Sequence, residues 1–161
     1  MIGKRFLSVR RVAVGSVVGL GVTAAGIAVG GATPGSGSSS TLIGRAPVSE
    51  EVDINTGAIK LKTKEPFDVI TQTVTIQPGG TSGWHGHPGP VFVVVKTGAV
   101  TVYDQSCTTR RYSAGQGFVE GPDPAVVRNE GSEVSESVAT LLVPQGQPAR
   151  IDAASQCPGI L

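Results

Sequence analysis

Aromatic side chains make up only 4% of this chain, so a core has to be assembled from Val, Ile, Leu and Ala. Valine in short runs suits strands. Long helices are disfavoured by 23 Gly and 11 Pro among 161 residues. Charged residues are scarce at 16%, and no run of five or six basic residues occurs; this argues against nucleic-acid binding. Histidine is limited to His85 and His87, and cysteine to Cys107 and Cys157. There is no internal repeat. What remains, with 39% hydrophobic residues, fits one ordinary globular domain plus a tail or leader.

The leader is legible first. Lys4, Arg5, Arg10 and Arg11 precede an uncharged run over 12–32, the layout of a secretory signal with small residues at Ala28, Gly30 and Ala32 for cleavage. A retained anchor is the rival reading, since about 20 apolar residues span a bilayer, although the glycines make a weak span. A membrane contact is therefore expected only through residues 1–32. The pair Arg10-Arg11 fits twin-arginine export loosely, and with no Cys near the end of the run a lipoprotein is not expected. Losing the leader's basic residues turns a chain of 13 Lys+Arg and 12 Asp+Glu mildly acidic. Residues 33–49 contain Pro34-Gly35-Ser36-Gly37-Ser38-Ser39-Ser40 and read as a flexible linker, with the folded domain over 50–161. The expected location is secreted or extracytoplasmic. There, two cysteines are most simply a disulfide, with free thiols as the alternative.

Beyond residue 50, short apolar or alternating runs punctuated by Gly and Pro predict strands at 58–63, 68–77, 91–96, 99–104, 117–120, 125–128 and 138–143, with a short one at 149–151. Ile70, Val74 and Ile76 share one face of the second, while Thr71, Thr73 and Thr75 share the other. Thr97-Gly98 marks a hairpin. Closely spaced strands without helical segments imply a sandwich or barrel.

The stretch from Gly79 to Pro90 points most directly at chemistry. His85 and His87 are two residues apart, so on a strand both imidazoles project to one side and could grip a single ion. Two ligands make half a site, and the pair also reads as polar lining with no metal. Glu120 or Asp104, each on a predicted strand, could supply a missing donor. Glu120 reads equally as an exposed strand-end carboxylate. Trp84 is expected as a packing or rim residue. Gly83, Gly86 and Gly89 suggest turns and close approaches, and the segment is no phosphate loop, because the Lys-Ser/Thr ending is missing.

These residues carry a resemblance. Gly79, His85, His87, Val91 and Gly98 resemble the first motif of the cupins, in which a glutamate stands where this chain has Val91 or Phe92. Gly115 to Pro122, followed by Asp123 to Gly131, resembles the second motif, with Ala125 where the family carries a histidine. The resemblance covers about residues 68–143. It implies an all-β fold, a single cupin double-stranded β-helix or jelly-roll barrel, and a metal held by three histidines and a glutamate, of which only His85 and His87 survive.

Three function classes follow. The leading one is an exported cupin that binds a small molecule in its barrel, with His85, His87 and Glu120 as a weak metal site at most. The second is a metal-dependent oxygenase or isomerase in which a substitute carboxylate completes a site for Fe, Mn, Ni or Zn. The third is an extracellular interaction protein with a vestigial pocket. The resemblance also implies pairing of two copies through edge strands.

Overall fold

A computed structural model of the chain describes residues 31–160. The expected leader falls, but for its last two positions, on residues 1–30, outside the described residues. In chain order the strands are β1 (Ser36–Val48), β2 (Asp53–Asn55), β3 (Lys60–Lys62), β4 (Phe67–Thr81), β5 (His85–Gly86), β6 (Val91–Thr97), β7 (Ala99–Asp104), β8 (Thr109–Ser113), β9 (Gly117–Glu120), β10 (Ala125–Arg128), β11 (Ser135–Pro144) and β12 (Ile151–Asp152). No helix occurs among the described residues.

Every ladder is antiparallel. One limb of the barrel runs β1-β4-β11-β6-β9 and the other β12-β5-β10-β7-β8, joined where Thr81 of β4 meets Arg128 of β10. On the opposite side Tyr112 of β8 stacks on Phe118 of β9, ring centroids 4.7 Å apart. The result is a nearly closed double-stranded β-helix, the fold class that the motifs imply. β2 and β3 form a separate exposed hairpin.

The core follows from the period of two along each strand. Val91, Val93 and Val95 of β6 are buried while Phe92 and Val94 face solvent, and β11 alternates in the same way. Ile70, Val91, Val93, Ala139, Leu141 and Val143 make one cluster; Ile76, Val95, Val100 and Val127 make the next. Trp84 is fully buried against Val126 and Cys157, and its Nε1 donates to the Ile160 carbonyl at 3.1 Å. It is a packing residue.

The flexible linker expected over 33–49 needs correction. Most of it is β1, paired with β4 from Ser36↔Thr81 to Val48↔Phe67. Its side chains are exposed up to Val48, so backbone hydrogen bonds to β4, rather than burial, hold it. A composition reading looks for buried side chains and misses such a strand. Thr33 is anchored too: its backbone N–H donates to Ala153 O, and its hydroxyl accepts from Trp84 N–H at 2.8 Å. β8 likewise had no predicted strand, because Arg110 and Arg111 are exposed on a barrel edge.

The tightest backbone approaches are at two glycines. Gly83 has φ +70, and a Cβ there would sit 2.2 Å from Thr33 O; at Gly89 it would sit 2.0 Å from Leu142 O. Both obstacles are backbone and cannot rotate away. Gly89→Ala is expected to cost about 3 kcal/mol, whereas Gly44→Ala, with nothing within 4 Å, should stay within about 0.5 kcal/mol of wild type. Thermal unfolding of the two variants checks this; equal midpoints would contradict the close approach at Gly89.

Candidate metal centre

The glycine-rich turn after β4 delivers both imidazoles to one cavity of about 300 Å³. His85 lies on the short β5, opposite Ala125 of β10 on one side and Asp152 of β12 on the other. His87 follows β5, and its backbone N–H donates to Gly121 O at 2.9 Å. The strand that the spacing predicts is thus only two residues long, yet the rings share a face. Their centroids are 4.9 Å apart in an edge-on arrangement.

Each ring is oriented by a backbone carbonyl. His85 Nδ1 lies 2.9 Å from Gly83 O, and His87 Nδ1 lies 2.7 Å from Ala149 O. A carbonyl only accepts, so each Nδ1 carries the proton and, in the neutral ring, each Nε2 presents a lone pair. Burial pushes the His85 pKa below its ordinary value, against the pull of the Glu120 charge, and Arg150 lowers it further. Neutral imidazoles with a fixed Nδ1–H are the form in which histidine ligates metals.

Glu120 reaches the same point by strand register. Its partner across the β6–β9 ladder is Val91, which is one of the two positions, with Phe92, where the resemblance would place a glutamate. Glu120 thus brings a carboxylate from β9 to the cavity face that Val91 shares. One donor atom from each of His85, His87 and Glu120 lies within 4.8 Å of the others. Asp104, the other sequence candidate, does not join them. Its Oδ1 accepts from Ser106 N, Ser106 Oγ and Thr108 N in a surface turn, and the Ser106 hydroxyl foremost among these holds its pKa below the ordinary value.

The triad is electrostatically incomplete on its own. His87 Nε2 and Glu120 Oε2 face one another at 3.6 Å, too far for a hydrogen bond. His87 Nε2 and Glu120 Oε1 are both buried with no hydrogen-bond partner. A cation between these two buried atoms would satisfy both. Two imidazoles and one carboxylate around a shared point are the donor set of open divalent transition-metal sites, so the residues present fit such an ion.

Ala125 is the cross-strand partner of His85, so a side chain at 125 would stand beside that ring. Ala125→His is accordingly expected to add a fourth donor and raise zinc or nickel affinity roughly tenfold or more. Calorimetric titration of both proteins checks it. Equal affinities would show that position 125 does not reach the ion.

Sequence reasoning missed Arg150, which lines the cavity next to the triad. A lone Arg after Pro148-Ala149 carries no spacing signal. It also missed the Gly83 and Ala149 carbonyls, since backbone acceptors leave no trace in residue type.

No family model matches the chain, and no curated protein matches it. Solved structures do. A protein with a double-stranded β-helix domain from Klebsiella pneumoniae is 18% identical, with TM-score 0.48, over 68% of this chain and 85% of that one. An oxalate oxidase is 22% identical, with TM-score 0.48, over 71% of this chain and 54% of its own length. A polyketide cyclase from Streptomyces resistomycificus is 12% identical, with TM-score 0.47, over 54% of this chain and 61% of that one. The chain thus spans little more than half of the last two proteins.

Proposed function

We propose that this is an exported metal-binding barrel in which His85, His87 and Glu120 hold a divalent transition metal, and that it binds and transforms a small molecule in the adjoining cavity. The observation that carries the reading is the buried, unpartnered pair of His87 Nε2 and Glu120 Oε1, with His85 completing a three-donor cluster. Three protein donors leave coordination positions open for a ligand. A bound ion of this kind supplies Lewis acidity or redox capacity, which makes an oxygenase or isomerase the reaction class we favour.

The chain's own residues do the rest. The Gly83 and Ala149 carbonyls hold both rings in the ligating tautomer. Val91, Val93, Phe118 and Leu141 give the cavity an apolar surface for a ligand's hydrocarbon. Export is supported by the basic and apolar leader in the sequence and by the bond between Cys107 and Cys157, whose Cα atoms are 5.7 Å apart.

The test is metal stoichiometry on protein recovered through an export route, followed by calorimetric titration of the stripped protein with zinc and with nickel. One tightly bound ion per chain is expected. Absence of binding to the stripped, folded protein would leave a metal-free ligand-binding barrel as the reading.

A further inference from the structure

The cavity wall that carries the triad holds one further charged side chain. Arg150 lines the same cavity as His85 and Glu120, close enough for its charge to act on the His85 ring. Its guanidinium is fixed at two points: Nε donates to Asp152 Oδ1 at 2.5 Å, and Nη2 donates to Ser82 O at 2.8 Å. These bonds engage two of the five N–H donors that a guanidinium carries. The side chain remains 36% accessible and its partner Asp152 56%, and Asp152 does not line the cavity.

Among the described residues, Glu120 is the one carboxylate in the cavity wall and Arg150 the one permanent cation. Adding a divalent ion to the triad therefore leaves the cavity with net positive charge, which an anionic ligand would neutralise. Away from this charged end the wall is mixed, with hydrocarbon from Val74, Val93, Val100, Phe118 and Leu141 and neutral polar groups from Gln72, Ser137 and the serines of β1. At about 300 Å³ the space lies at the lower limit for small-molecule sites, so the ligand is small.

We infer that Arg150 makes this a site for a small monocarboxylate with an apolar body, its carboxylate on the guanidinium beside the triad and its hydrocarbon among the valines. The planar fork suits a carboxylate. The inference builds on the metal-site reading for the sign of the net charge, while the Arg150 contact itself does not require the ion.

Benzoate and its neutral counterpart benzamide are suitable probes. Each is titrated calorimetrically into the zinc-loaded and the metal-free wild type, and into Arg150→Gln, whose folding is checked by circular dichroism. Benzoate is expected to bind at least roughly tenfold tighter than benzamide, and Arg150→Gln to remove most of that preference, since a hydrogen bond to a charged group is worth roughly a tenfold to hundredfold change in affinity. Equal binding of acid and amide to wild type would overturn the assignment, as would full discrimination by Arg150→Gln. If that variant does not fold, a preference for the acid in metal-free wild type still supports it, and no preference there overturns it. Zinc titration separates the two claims. A protein that takes no zinc yet prefers benzoate keeps Arg150 and loses the triad; one that takes zinc but ignores the acid keeps the triad and loses Arg150.

Discussion

Replacing His87 with Ala is expected to lower zinc affinity by more than roughly a hundredfold, because even loss of a group that merely orients a ligand costs about 10–100-fold. Glu120→Gln should act in two opposite directions. It removes the only carboxylate of the triad and so weakens the metal. In the metal-free protein it replaces an opposed lone pair and carboxylate with an amide whose N–H can donate to His87 Nε2, across a gap now at 3.6 Å. That new bond should stabilise the stripped protein by about 1 kcal/mol. The two outcomes, weaker zinc binding and a higher metal-free midpoint, are read by calorimetry and by thermal unfolding. A structural ion pair between His87 and Glu120 would behave otherwise, and Glu120→Gln would then lower the metal-free midpoint.

The second large effect is at the disulfide. Cys107 and Cys157 are 50 residues apart, and opening a loop of that length costs about 4 kcal/mol in the chain-entropy model. The consequence reaches the site, because Cys157 tethers the segment that carries Ala149, Arg150 and β12. Ala149 O orients His87, and Asp152 of β12 pairs with His85. A Cys107→Ser/Cys157→Ser double variant should therefore lose stability and also bind zinc about tenfold more weakly. Its fluorescence should shift to the red as the only tryptophan, Trp84, loses the Ile160 carbonyl and its packing against Cys157. Denaturant unfolding and zinc titration report the two effects. Unchanged zinc affinity in the folded double variant would show that the C-terminal segment docks without the tether.

Much of the barrel was legible in the sequence, for a physical reason. β7, β9 and β10 each start at or just after a Gly or Pro (Gly98, Gly117 and Pro124), and β6 and β11 show a buried alternate face. β1 was not legible, because its stability lies in a backbone ladder that residue type does not report. The histidine pair was legible from its two-residue spacing alone. Glu120 and Asp104 were equal candidates at that level; only the long-range register, Val91 against Glu120 and Ala125 against Asp104, separates them. Register comes from the packing of the whole barrel, and no local pattern at 104 or 120 encodes it. Arg150 reaches the cavity through the β12 segment, which pairs with β5 across more than sixty residues of chain.

The most direct test of the account is the location of an ion in the folded protein. Crystals soaked with zinc and measured at the zinc absorption edge should show one strong anomalous peak about 2.0–2.2 Å from Nε2 of His85, Nε2 of His87 and a carboxylate oxygen of Glu120. A peak elsewhere, or none while the two imidazoles bond to water or to each other, would contradict the metal centre.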